Sequence, residues 1–277
     1  MHKLLSGDLS VEHITIAISS LPASLQGTQI VQLSDLHFDG LRLSKQMLIE
    51  AIEISNSIQP DLVVLTGDYV TDDPTPIGSL SHHLQHLKSR CGTYAVLGNH
   101  DIYPAGARAI VTDAFVSVGI EVLWNQIAYP LGDALPIVGL ADFWSEDFDP
   151  AVVMDQLNDQ TPRIVLSHNP DTAALLQQWR VDLQLSGHTH GGQFVIPGLG
   201  AVPTFYQMFR HYVPKALRPW IPYMKEDCYK VVQHWEWAQG LHQVGKNWLY
   251  VNRGLGTYPP GRLFCPPEIT VLTLSMG

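Results

Sequence analysis

The chain has 277 residues, 45% hydrophobic and 15% charged, with a formal net charge of -10 at pH 7. That is enough for one large domain with an ample core, or one domain carrying an insertion. Its acidity excludes general affinity for nucleic acid, whose phosphates such a surface repels.

Val11–Ser19 alternates, with Ile14, Ile16 and Ile18 on one face, and reads as a strand. Thr28–Ser34 is a second strand running into Asp35. Leu43–Ile58 has helical periodicity and stops before Pro60. Leu62–Thr66 is a strand ending at Gly67-Asp68, Ile77–Arg90 a helix with a face of histidines, and Thr93–Leu97 a strand ending at Gly98-Asn99-His100. Short apolar strands separated by helices indicate a buried sheet covered by helices. Ala105–Val118 reads as a helix, followed by strands at Glu121–Asn125, Ile127–Pro130 and Pro136–Leu140. Pro150–Leu157 reads as a helix, Arg163–Ser167 as a strand ending at His168, and Pro170–Gln178 as a helix opened by proline. The remaining strands are Val181–Ser186, ending at Gly187-His188, then Trp248–Asn252 and Glu268–Leu274. Residues 194–246 differ in character, being rich in aromatics and prolines. Within 203–230 stand Arg210, Lys215, Arg218, Lys225 and Lys230, against only Glu226 and Asp227. This stretch reads as a cap inserted beside the site.

Cys91, Cys228 and Cys265 show no CxxC or other paired spacing, which suits a reducing compartment or simple core cysteines, not a disulfide scaffold. Met1–Ser20 holds no apolar run long enough for a signal peptide or membrane span. The expected location is therefore inside the cell.

Five blocks carry chemistry, and each follows an apolar strand. In open α/β sheets the carboxyl ends of strands are where sites form. In Asp35-x-His37, residues i and i+2 of an extended segment point the same way, so both can bind one cation. The carboxylate of Asp68 has two oxygens and can bridge two. In Gly98-Asn99-His100-Asp101, glycine allows close backbone approach. Asn99 offers an amide oxygen, His100 can reach a substrate, and Asp101 can hold the other nitrogen of that imidazole. His168 is a lone strand-end histidine. His188 and His190, bracketed by glycines, can reach two adjacent cations. Taken singly, most of these blocks also read as capped turns; taken together they point to a site for two divalent cations. Oxygen and nitrogen donors without thiolate suit Mn, Fe, Zn, Co or Ni, with Mn favoured. No G-x-S-x-G and no P-loop is present, which excludes the common serine hydrolases and P-loop ATPases.

In order and type the blocks resemble the calcineurin-like metallophosphoesterase family, over Asp35 to His190. The resemblance implies an α/β (α+β) fold: a four-layer α-β-β-α sandwich of two mixed sheets flanked by helices. It implies one metal held by Asp35, His37, Asp68 and His190, and another by Asp68, Asn99, His168 and His188, with Asp68 bridging. A hydroxide between the metals would attack phosphorus. His100 would stabilise the phosphoryl oxygens or protonate the leaving oxygen, and Asp101 would orient His100. A metal-bound scaffold without catalysis is the alternative, and loss of His100 or of a ligand would favour it; neither is lost.

Gly191-Gly192-Gln193, Asn252-Arg253-Gly254-Leu255-Gly256 and Pro266-Pro267-Glu268-Ile269 resemble a membrane-associated bacterial branch of phosphodiesterases and UDP-2,3-diacylglucosamine pyrophosphatases. This implies a lipid-linked or sugar-nucleotide substrate, with a small soluble phosphoester as the alternative. Arg253 and Arg262 are candidates to hold a second phosphate, ordinary ion pairing being the alternative. The aromatic and basic residues of 203–230 suit a peripheral contact with the inner face of a membrane, or simple packing of the cap.

Overall fold

The computed structural model describes residues 6–220 and 231–277. The first sheet contains β1 (Ser10–Ile18), β2 (Gln29–Leu33), β3 (Leu62–Leu65), β4 (Thr93–Ala95), β5 (Ile120–Val122) and the last strand of the chain, Glu268–Met276. That last strand lies between β1 and β2, parallel to the first and antiparallel to the second, while β2 to β5 run parallel. Helices α1 (Lys45–Ile58), α2 (Ile77–Leu84) and α3 (Ala107–Val116) cover its outer face.

The second sheet contains β6 (Gln126–Ala128), β7 (Ile137–Gly139), β8 (Ile164–Leu166), β9 (Leu183–Ser186) and two later strands, Gly240–Val244 and Asn247–Val251. Short helices α4 (Ala151–Met154) and α5 (Thr172–Leu175) lie on its outer side, against Val138 and Val165 or against Leu249 and Val251. The remaining pieces are the hairpin strands β10 (Val195–Ile196) and β11 (Gly200–Ala201), then α6 (Val202–Phe209). In chain order the strands Gly240–Val244, Asn247–Val251 and Glu268–Met276 are β12, β13 and β14. Among the described residues no helix is long and apolar enough to cross a membrane.

Strand alternation explains the layering. In β3, Leu62 and Val64 enter the core between the sheets, where they meet Ile164, Leu166, Leu183 and Leu185. Val63 and Leu65 point the other way and pack under Leu48, Ala51, Leu80 and Phe115 of the helices. A run buried on both faces must be apolar throughout. Gln32 is the polar exception: its amide donates to Thr66 Oγ1 and to the Ser186 carbonyl at 3.0 and 2.9 Å, tying the two sheets together just below the site.

Several predicted elements are shorter than expected. The α-helix from Ile77 stops at Leu84, and Gln85–Leu87 continue as turns whose amides reach back three or four residues. The Pro170–Gln178 helix divides into α5 and a 3-10 turn, Leu176–Gln178. Residues 194–246 are not all one insertion, because Gly240–Val244 is the edge strand of the second sheet. Residues 221–230, with Lys225, Glu226, Asp227, Cys228 and Lys230, lie outside the described residues.

Candidate metal centre

The parallel strands of both sheets end at one edge, where their following residues meet. Asp35 and His37 follow β2, Asp68 follows β3, Asn99 and His100 follow β4, His168 follows β8, and His188 and His190 follow β9. Two clusters result: Asp35, His37 and His190, then Asp68, His168 and His188, every member buried. Asp68 Oδ2 lies 3.6 Å from His37 Nε2 and 3.1 Å from His168 Nε2, between the clusters. Asn99 Oδ1 is buried without a hydrogen-bond partner.

The backbone is bent to achieve this. Asp35, His37, Asp68, His188 and His190 all have positive φ, from 42° to 72°. Left-handed backbone costs a non-glycine residue about 1–2 kcal/mol, and such strain concentrates at functional sites. Two glycines permit the close approach. A Cβ on Gly98 would stand 2.2 Å from Asp68 Oδ1, and one on Gly187 would stand 2.0 Å from Ser34 Oγ.

The histidine partners define the chemistry. His37 Nδ1 faces the Val70 carbonyl at 3.1 Å, His168 Nδ1 the Thr66 carbonyl at 2.7 Å, His188 Nε2 the Val231 carbonyl at 3.0 Å, and His190 Nδ1 the Gly256 carbonyl at 3.2 Å. A carbonyl only accepts, so each of these nitrogens carries the proton. The opposite nitrogens meet in pairs: His37 Nε2 with His190 Nε2 at 3.2 Å, and His168 Nε2 with His188 Nδ1 at 3.1 Å. In the His37–His190 pair both facing nitrogens are lone pairs, and in the second pair they become so once His168 gives up the Nε2 proton that it otherwise shares with Asp68 and His188. Two lone pairs at that distance repel unless a cation lies within reach of both. The donor set, with its orphaned Asn99 oxygen, therefore fits two divalent cations, and the carbonyl partners orient the imidazoles as in metal sites generally.

Electrostatics agree. Burial pushes His37 down to about 3 and His188 down to about 4, and holds His190 well below its usual range. Burial also acts to lower His168, but the Asp68 carboxylate overrides it and raises that imidazole to about 10. The carboxylates thus call for positive charge at the centre. Burial raises Asp35 to about 6.

A cavity of about 600 Å³ opens on the centre, with Asp68, Asn99, His100, His188 and His190 at its inner end. His100 Nδ1 faces the Thr71 carbonyl at 2.8 Å, and its backbone N–H donates to Asp68 Oδ1 at 2.9 Å. Asp101 does not orient His100, contrary to expectation. Its carboxylate accepts from the backbone N–H groups of Asp68, Tyr69, Val70 and Gly98, and so pins the loop that carries the bridging aspartate.

Arg253 and Arg262 are also displaced from their expected role, since neither lines the cavity. Arg253 pairs with Glu12 and Glu268 at 2.6 and 3.0 Å. Arg262 donates to the carbonyls of Arg253, Gly254, Gly256 and His190.

Two residues near the centre went unread in the sequence. Tyr258 packs its ring 5.0 Å from that of His37 and 5.2 Å from that of His190. Its signal was the glycine block after β13. Asp142 is buried, has Oδ2 without a hydrogen-bond partner, and is raised to about 6 by burial. It follows β7 just as the ligand blocks follow their strands.

The family model of the calcineurin-like phosphoesterases matches residues 28–192, more than half of the chain. The chain belongs to that family. It is 32% identical to an uncharacterized metallophosphoesterase, YkuE, of Bacillus subtilis, over 96% of this chain and 85% of that protein. It is 32% identical to the phosphodiesterase YaeI of Escherichia coli, over 89% and 82%. It is 31% identical to the UDP-2,3-diacylglucosamine pyrophosphatase LpxG of Chlamydia trachomatis, over 90% and 84%. The chain is thus a metallophosphoesterase, and the two clusters are its candidate metal groups.

Proposed function

We propose that this phosphoesterase is dinuclear, with Asp35, His37, Asp68 and His190 on one cation and Asp68, Asn99, His168 and His188 on the other, and that it cleaves a phosphodiester or pyrophosphate. The observation that carries this reading is the pairing of inward imidazole nitrogens at 3.1–3.2 Å, with Asp68 Oδ2 between the pairs. Bound divalent cations supply Lewis acidity and lower the pKa of a water enough to make it nucleophilic at neutral pH. The chain's own groups do the rest. Asp101 holds the Asp68 loop, and the carbonyls of Val70, Thr66, Val231 and Gly256 fix the four tautomers. With Nδ1 given to the Thr71 carbonyl, His100 meets the substrate through Nε2 and, when protonated, donates to the leaving oxygen.

Elemental analysis, paired with Mn-dependent hydrolysis of bis-p-nitrophenyl phosphate and UDP-2,3-diacylglucosamine, tests this. Two metals per chain are expected. His100→Ala should lower kcat at least about a hundredfold with both metals retained, whereas Asp68→Asn should lose metal as well. Full activity of His100→Ala overturns its assignment.

The similarity to LpxG supports a lipid-linked nucleotide as substrate, and that to YaeI a phosphodiester. One surface favours a lipid setting. Phe209, Tyr212, Leu217 and Trp220 are exposed on the same segment as Arg210, Lys215 and Arg218, which suits peripheral contact with an anionic membrane. Tyr206, Phe209, Val213 and Leu217 do not share one helical face, since α6 ends at Phe209 and Val213 is extended.

A further inference from the structure

Above the metal centre the cavity changes character. Its walls are Tyr103, Trp144, Val231, Val232, Trp235 and Pro259. A phosphate belongs at the histidine end; whatever it carries must rest against these walls. Trp144 is 38% exposed and Tyr103 62% exposed, although both are large aromatics at a cavity mouth. Such open rings are stacking platforms for a planar group, and about 600 Å³ suits a substituent of that size.

The segment supplying Val231, Val232 and Trp235 is latched from below. Asp171 is only 3% exposed, and its carboxylate accepts from the Gln233 and His234 backbone N–H groups at 2.7 and 3.0 Å. The Val231 carbonyl accepts from His188 Nε2, Thr204 Oγ1 donates to the Trp235 carbonyl at 3.0 Å, and Thr189 Oγ1 donates to the Ala238 carbonyl at 2.6 Å. Wall and metal loop are therefore held by one set of bonds. Asp171 is the charged member, and charge-assisted bonds are the strong ones.

Resting on the phosphoesterase reading above, we propose that residues 231–235, with Tyr103 and Trp144, form a subsite for a planar aromatic substituent of the phosphate, and that Asp171 is the positioning residue that shapes it.

Three phosphorothiolate diesters that share a non-aromatic leaving group, methanethiol read with a thiol reagent, test this: phenyl, methyl and cyclohexylmethyl. The Mn-loaded enzyme should show a lower KM for the phenyl ester than for either of the others. Trp144→Ala should shrink the phenyl-to-methyl preference about two- to tenfold, the worth of an aromatic contact. Asp171→Asn should raise KM for the phenyl ester more than for the methyl ester, with a smaller change in kcat, and Asp171→Glu should recover part of the preference.

Equal KM values for phenyl and methyl, or a cyclohexylmethyl ester bound as well as phenyl, overturn the planar subsite. An unchanged ratio in both Trp144→Ala and Asp171→Asn overturns the residues assigned. Calorimetric binding of phenylphosphonate against methylphosphonate reads the same preference without turnover. A protein that binds phenylphosphonate preferentially but hydrolyses no ester would sink the phosphoesterase reading and leave the subsite standing. One that hydrolyses all three esters alike would do the reverse.

Discussion

At the scale of single residues, the site depends on which nitrogen of each histidine carries its proton. Three imidazoles, His37, His188 and His190, are kept neutral by burial, at about 3, about 4 and well below the usual range. They present lone pairs at any working pH. His168 differs. Burial acts to lower it, but Asp68 lifts it to about 10, so a cation binding there must displace a proton. The sign follows. A rise in pH toward 10 makes that proton easier to lose and tightens metal binding, while a fall weakens it, and below about 6 Asp35 also competes as it takes up a proton. The apparent dissociation constant for Mn at the cluster holding His168 should drop about tenfold per pH unit across the neutral and mildly alkaline range. Calorimetry in buffers of different ionisation enthalpy should register the released proton, and pH-independent affinity would refute the displacement.

At the scale of elements, the loop after β13 is held to β1 and β14 by Arg253, which takes no part in the cavity. Glu268, fully buried at the start of β14, receives Arg253, the Tyr250 hydroxyl and Thr270 Oγ1. Removing one partner of a buried charged pair costs about 3–5 kcal/mol. Because Arg253 keeps Glu12, Glu268→Ala should fall near the low end, about 3 kcal/mol, read as a lower urea midpoint at unchanged slope. A midpoint within error of the parent would show that the network is dispensable. This network also marks how far the sequence could be read. Strands such as Leu62–Leu65, followed at once by Gly67-Asp68, were legible because a run buried on both faces is apolar throughout and the ligand follows it. The roles of Arg253, Arg262 and Asp101 were not, since their partners (Glu12 and Glu268 for Arg253, the Asp68–Val70 amides for Asp101, and the carbonyls of a loop folded back on itself for Arg262) become neighbours only in the fold. The β10–β11 hairpin and β12 were missed for a related reason: two-residue strands and the half-exposed edge run Gly240–Val244 carry little periodicity.

At the scale of the whole molecule, a chain with 26 acidic and 16 basic residues is repelled by an anionic surface unless it turns one particular side toward it. Among the described residues, the stretch after α6 offers that side. Arg210, Lys215 and Arg218 stand there with no acidic residue between Val202 and Trp220, and Trp220 is 84% exposed. The helix that precedes this stretch is tied to the cavity, because Thr204 on α6 bonds the Trp235 carbonyl of the wall. A membrane held on this side would bring lipid headgroups toward the metal centre. The protein should therefore co-sediment with vesicles of phosphatidylglycerol and phosphatidylcholine but hardly with phosphatidylcholine alone, and added salt should weaken the binding. Each Arg or Lys near the surface contributes about 1 kcal/mol, so Arg218→Glu should weaken vesicle binding at least about fivefold. Trp220→Ala should weaken it without altering its salt dependence, since an indole anchors through the interface and not through charge. Equal binding to neutral vesicles, or full binding by both variants, would assign these aromatics to packing of the cap and leave the cavity to collect its substrate from solution.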